Sequence, residues 1–352
     1  MVVGFLFSAL SLGEMVIGFE AFYAAKRIYG SRVVVFGQPC MADLVRHCDF
    51  VDSYYPIELK DINEQNCDYL ILSNSKTYFI GFAKKSNAKY IICATKIASF
   101  FSMRCKSVPI YFFKKYYHLD EREILLGYVR RIDSRIYDSK IDSIEIDRAK
   151  IASTPDRDLA VLSKITEKIP PKKALANPYI ILVNPFNKAC PYSLNQTSWL
   201  ELAMRISNLP NCISLIATYP AVHEDFKRQC IESKKDLSKV IIFENDNSVL
   251  NLVSLISQVS CVISPSTGTI HLACNQRIQT IAIYPRYDTR RWATHNKQYV
   301  FLENPLQSIS PNEEEIAIDQ TIEILKNMIN AGWLNPLPQL QGAVNAKPTT
   351  SD

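Results

Sequence analysis

Residues 261–273 read CVISPSTGTIHLA. Cys261–Ser264 is a short apolar run and reads as a buried strand. Helical spacing begins directly after the turn Pro265–Thr267. A strand passing through a Ser/Thr/Gly turn into a helix is the βα step of a doubly wound parallel sheet. The first turn of such a helix has unpaired N–H groups and a partial positive charge. Gly268 lets a ligand approach the backbone closely, and Ser266, Thr267 and Thr269 add hydroxyls. Together they make a seat for a pyrophosphate. The same residues suit a Ser/Thr cap with no ligand equally well. His271 follows one turn on. Beside a phosphate it would give a proton or hydrogen bond to a leaving diphosphate, and in an interior it is a structural side chain.

The same strand–turn–helix rhythm extends in both directions. Upstream of 261, Tyr179–Val183, Cys212–Ala217 and Lys239–Phe243 read as strands, with helices from about Thr197, over Glu224–Glu232 and over Ser248–Ile256. Ser248 suits an N-cap. Downstream, Thr280–Tyr284 is a strand and Asn312–Ile329 an amphipathic helix. A second series opens the chain: strands at Val2–Phe7, Arg32–Phe36, Tyr69–Leu72 and Tyr90–Cys93, with a helix from Glu14 to near Gly30. Between the series lies ITEKIPPKKALANP (165–178), rich in Pro and Lys, which reads as a linker. The expectation is an α/β chain of two Rossmann-like domains, 1–168 and 177–310, followed by a C-terminal helix at 311–334 and a flexible tail at 335–352. Ligands of such sheets bind at the carboxyl ends of the strands, so a cleft between the domains suits a nucleotide-linked substrate.

Composition narrows the function. The 352 residues are 47% hydrophobic and 21% charged, ordinary for a globular protein of two domains. A net charge of +5 permits an anionic ligand or membrane surface, but there is no Lys/Arg stripe of the nucleic-acid-binding kind. The ten Cys form no CxxC pair and mostly lie in apolar runs, which reads as reduced core thiols. The five His have no metal-ligand spacing, so no metal site is expected. The apolar start MVVGFLFSALSLGEMVIGF lacks a basic n-region and a small-residue cleavage site, and no stretch has the ~18 apolar residues of a membrane span. A cytoplasmic protein is expected.

Three further strand-end loops carry ligand-compatible residues. Asn184 and Lys188 follow Tyr179–Val183, and Lys188 offers a flexible cation for phosphate. Glu224 follows Cys212–Ala217, where a carboxylate can accept ribose hydroxyls. Glu14 follows the first strand of the first domain and could take a proton from an acceptor hydroxyl. Each also reads as an ordinary loop residue or as an acid favoured in a helix's first turn.

The chain resembles the bacterial heptosyltransferases of glycosyltransferase family 9, which have a GT-B fold. The likeness spans roughly residues 3–330 and is most specific at Val262–Ala273, Ile281–Tyr284 and Arg291-Trp292. Asn184-Pro185 with Trp199, His223-Glu224 and Ser11–Glu14 resemble further family positions. The resemblance implies an inverting, metal-independent transfer of a sugar, typically heptose from ADP-heptose, to the inner core of lipopolysaccharide or lipooligosaccharide. No cofactor is implied beyond the donor itself. In that scheme Glu14 is the general base, and Thr267, Gly268, Thr269 and Lys188 hold the diphosphate. Glu224 takes the ribose, and the loop around Asn247 lies near the adenine. The acceptor would be a lipid A-core molecule on the inner membrane, met by a basic cluster of Arg104, Lys106, Lys114 and Lys115. Two family aspartates are replaced, by Ser266 and Glu14, and the basic-Trp-Pro stretch after Asn184 is missing. A different donor sugar, a sugar-nucleotide epimerase and a nucleotide-binding protein without catalysis stay open.

Overall fold

The computed structural model describes residues 1–7, 11–169, 177–186, 192–292, 296–303 and 309–337. The chain divides into two compact units. The first is Met1–Ala152 with Tyr287–His295, and the second is Ser153–Arg286 with Asn296–Asp352.

The first unit is built on six parallel strands: β1 (Val2–Leu6), β2 (Arg32–Gly37), β3 (Ser53–Pro56), β4 (Tyr69–Leu72), β5 (Tyr90–Ala94) and β6 (Cys105–Val108). Their order in the sheet is β3-β2-β1-β4-β5-β6. β1 sits centrally because helices cover both of its faces, and Val3, Phe5 and Leu6 are fully buried. The Phe22 ring meets Phe5 at 4.7 Å and Phe7 at 5.1 Å, which fixes the helix Phe19–Tyr29 against the sheet. The helix expected from Glu14 to Gly30 is broken at Gly18 into Leu12–Ile17 and Phe19–Tyr29. A Cβ at Gly18 would stand 2.4 Å from the Phe7 ring, so only glycine lets this turn close over the end of β1.

The second unit repeats the plan with β7 (Tyr179–Val183), β8 (Cys212–Thr218), β9 (Val240–Glu244), β10 (Cys261–Ser264), β11 (Gln279–Pro285) and β12 (Lys297–Leu302). The order is β12-β11-β10-β7-β8-β9, again all parallel. In both sheets the chain starts in the middle, builds outward to one side, then crosses to the other. The switch points lie between β1 and β4 and between β7 and β10. Crevices for ligands form at such points.

Two boundaries differ from the sequence expectation. The helix Pro155–Glu167 belongs to the second unit, so the division falls after Ala152, before the Pro/Lys-rich stretch. The helix packs on Val249–Ser257, and Lys168 Nζ donates to the Ile242 carbonyl at 2.9 Å. The C-terminal helix Pro311–Asn330 is part of the second unit's core, to which it contributes Ala317, Ile318, Ile322, Leu325 and Met328 beside Trp199. Of the tail, Leu337 is buried and its amide donates to the Pro178 carbonyl at 3.0 Å. Residues 338–352 lie outside the described residues.

Strands β3 (SYYP), β6 (CKSV) and β12 (KQYVFL) are absent from the sequence reading. All three are edge strands: β3 and β6 are only four residues long and broken by Ser, Lys or Pro, and β12 opens on Lys297 and Gln298 before its short apolar run. Ser248 sits at an N-cap position, but its hydroxyl accepts from Arg157 Nη1 at 3.0 Å instead of capping its helix.

Candidate functional site

In the second unit the switch point is formed by the loops leaving β7 and β10. The Asn184 amide N–H donates to the Ile263 carbonyl at 2.9 Å, continuing the ladder one residue past β7. Its buried side chain then reaches across: Nδ2 donates to Ser264 Oγ at 3.0 Å and to Thr267 Oγ1 at 3.1 Å. Ser264 Oγ and Thr267 Oγ1 are themselves 2.8 Å apart. Both Nδ2 hydrogens are thus used inside the protein, and Asn184 braces the loop.

This bears on the ambiguity of Ser266–Thr269. Thr267 holds the N-cap position of the helix Gly268–Asn275, but its hydroxyl makes no cap hydrogen bond. It is turned back onto Ser264 and Asn184, away from the helix amides. Ser266, Thr267, Gly268 and Thr269 are half-exposed at the strand end. The turn therefore keeps the helix start open to an anion where a simple cap would close it.

His271 sits elsewhere. It is buried, and burial together with the nearby Lys297 charge holds its pKa well below the ordinary value. A neutral imidazole keeps one ring N–H, so at neutral pH His271 is suited to give a hydrogen bond and not to transfer a proton to a leaving group.

At the ends of β8 and β9 lies a second polar group. Thr218 Oγ1 and His223 Nδ1 are 2.7 Å apart, and His223 Nε2 is 3.3 Å from Glu244 Oε2. Buried Asn245 follows β9, with Oδ1 accepting no hydrogen bond. Glu224 is exposed on the helix Pro220–Glu232, 3.2 Å from Lys227, and Asn247 is exposed on the neighbouring loop. Thr218, Glu244 and Asn245 were not singled out from the sequence: a Thr or Asn ending an apolar run carries no distinguishing spacing. Lys188 lies outside the described residues.

In the first unit the corresponding loops leave β1 and β4. Ser11 caps the helix Leu12–Ile17, its Oγ accepting from the Glu14 amide at 3.3 Å. Glu14 is half-buried. Burial raises its pKa above the usual carboxyl value and the Glu121 charge adds to that, while the Ser11 hydroxyl, Arg291 and Lys76 act in the opposite sense. Lys76 follows β4, so the switch point has an acid from one loop and a base from the other. Glu121 opens the helix Glu121–Arg130, capped by Asp120, and accepts from Arg291 Nε at 3.0 Å. Lys76 and Glu121 were missed as site residues, and Arg291 entered only through the Arg291-Trp292 resemblance, with no role. All three are brought to Glu14 from 62 to 277 positions away, and no local spacing links them to it.

The basic cluster expected of Arg104, Lys106, Lys114 and Lys115 does not form. Arg104 donates to three carbonyls, those of Lys84 (2.6 Å), Ala88 (2.8 Å) and Ser86 (2.9 Å), and so ties down the chain around the end of the helix Thr77–Lys84. Lys106 lies over the rings of Tyr69 (4.9 Å) and Tyr90 (4.2 Å), the first residues of β4 and β5. That is the amino end of the sheet, opposite to Glu14. Lys114 and Lys115 are exposed in the loop past the carboxyl end of β6. Among the described residues no helix is long and apolar enough to cross a membrane.

By sequence, no family model and no curated protein matches the chain. Solved structures do. A glycosyl transferase of family 9 from Veillonella parvula superposes with a TM-score of 0.72 at 9% identity, over 94% of this chain and 97% of that one. The E. coli ADP-heptose lps heptosyltransferase II gives 0.66 at 11% identity, over 92% and 100%. E. coli heptosyltransferase WaaC, solved with ADP-2-deoxy-2-fluoro heptose, gives 0.61 at 14% identity, over 92% and 99%. The chain therefore has the α/β fold, of GT-B type, that the family 9 glycosyltransferases share.

Proposed function

We propose that this chain is a glycosyltransferase of the family 9 kind, moving a sugar from a nucleotide diphosphate to a hydroxyl of the lipopolysaccharide or lipooligosaccharide inner core. ADP-heptose is the first candidate donor, because the structurally similar E. coli enzymes are named for it or solved with its analogue. The observation that carries the reading is a matched placement. In two sheets of the same strand order, one switch point holds a half-buried carboxyl and the other an uncapped helix start.

The chemistry divides accordingly. The Glu14 carboxylate takes the proton of the acceptor hydroxyl as its oxygen attacks the anomeric carbon. The bond from that carbon to the diphosphate oxygen breaks, its electron pair leaves with the diphosphate, and the configuration inverts. The first-turn amides of Gly268–Asn275 and the Ser266 and Thr269 hydroxyls receive the charge that develops. A raised pKa suits Glu14 to this work, since a base is more effective the closer its pKa lies to the working pH. Glu224 and Asn247 serve the nucleoside, at the ends of β8 and β9.

The test is Glu14→Gln. Turnover should fall by about 10²–10⁴ while donor binding is kept. Loss of donor binding instead would make Glu14 a structural residue, and unchanged turnover would remove it from the reaction.

A further inference from the structure

The first unit carries a segment of one-sided charge, most of which this chemistry does not use. Residues 69–119 contain nine of the chain's 40 Lys and Arg and none of its 35 Asp and Glu, leaving 31 basic and 35 acidic residues for the rest. A chain of modest net charge thus concentrates more than its whole excess in one segment. The same segment holds ten of the seventeen large apolar side chains exposed among the described residues. Isolated exposed apolar residues are ordinary, but a concentration of them marks a contact surface.

Their placement is specific. Ile97 and Phe100 lie on the short helix Ile97–Phe100, with Phe101 and Met103 on the turn that enters edge strand β6. Phe112 and Phe113 lie on the loop that leaves β6. Phe101 is 76% exposed and Met103 entirely so, whereas core aromatics of this unit such as Phe5 and Phe22 are sealed. Lys96, at the start of the helix Ile97–Phe100, stands with its Nζ 3.8 Å over the Tyr111 ring and so ties the helix start to the loop that leaves β6. Lys114 and Lys115 follow Phe113 directly.

We infer that the loops flanking β6 form a docking surface for an anionic lipid bilayer. Apolar tips that enter the headgroup region, with lysines placed to meet anionic headgroups, are the composition of an interfacial membrane contact. Lysine predominates, and the segment's one arginine, Arg104, is consumed by carbonyls, so no planar fork is on offer for a specific phosphate or a base. The proposal moves the membrane contact away from Arg104 and Lys106 and onto Phe100, Phe101, Phe112, Lys114 and Lys115. It rests on the proposed function only for its purpose, the capture of an acceptor that is itself a membrane lipid.

The full chain is mixed with vesicles of phosphatidylcholine alone or with phosphatidylglycerol, and the bound fraction is read by flotation at low and high salt. Binding should require phosphatidylglycerol and weaken with salt. Lys114→Gln/Lys115→Gln should reduce it by about five-fold per lysine. Phe100→Ser/Phe101→Ser/Phe112→Ser should reduce it by at least about ten-fold, with far-UV circular dichroism unchanged. No binding by the wild type, or binding that neither variant alters, overturns the inference. So does a concentration-dependent dimer that the Phe variant dissolves, or equal affinity for a single-stranded oligonucleotide. Calorimetry with ADP on the same variants keeps the transferase reading separate: nucleotide binding should persist where vesicle binding is lost.

Discussion

Under the proposed function, Glu14 trades stability for chemistry. Its folded pKa lies above the ordinary value of 4.5, chiefly through burial. As pH rises through that window the unfolded chain gives up its proton first, so the folded state loses stability and the loss persists above the folded pKa. Glu14→Gln removes the penalty, and its melting temperature at neutral pH should equal or exceed that of the wild type even though turnover is lost. The same shift sets the pH profile. kcat/KM should fall as acid protonates Glu14, with a midpoint above that of an unperturbed Glu. Glu121→Gln removes a like charge, so the acid limb should move to lower pH. An unmoved limb would show that Glu14 is not the titrating base. At this scale the sequence was partly legible. Ser11–Glu14 and Ser266–Thr269 announce themselves because each is a local strand-to-helix junction. Glu121 does not, and Arg291 shows only as part of an Arg-Trp pair, because only folding brings the two to Glu14. His271 reads as part of the same junction, and only the fold shows that it is buried and kept neutral.

Among the elements, the helix Pro311–Asn330 is more than an appendage. Buried Glu314 accepts from the Asn195 amide and Nδ2, both at 2.5 Å, and from Ser198 Oγ at 3.0 Å. It thereby pins the helix to the start of Gln196–Ser207. Glu314→Ala leaves those donors without their acceptor and should cost about 2–3 kcal/mol of unfolding free energy, measured by urea titration. A change below about 0.5 kcal/mol would show the helix is held by its apolar face alone. The element pattern also explains which strands were legible. Central strands β1, β4, β7 and β10 are covered on both faces and read as apolar runs. Edge strands β3, β6 and β12 are short or begin on polar residues and were missed. The division between the units was misplaced because Pro and Lys between 165 and 178 mark a break in secondary structure, while helix packing decides which unit a segment joins.

For the whole molecule, two sheets of one topology hold different groups at the same topological position, a half-buried carboxyl in one and an uncapped helix start in the other. Overall charge conceals the arrangement: +5 in total resolves into an acid-free, aromatic-rich segment and a slightly acidic remainder. The central claim is that the second unit's switch point binds the diphosphate of a nucleotide sugar. Its most direct test is calorimetric titration of the purified chain with ADP, ADP-heptose, UDP-GlcNAc, UDP-glucose and GDP-mannose. The account predicts binding of the ADP compounds, weakened by at least about ten-fold in Thr267→Val, which disrupts the brace on Ser264 and Asn184. Preference for a UDP or GDP sugar would contradict the heptose donor while keeping the seat, and binding of none of the five would contradict the claim itself.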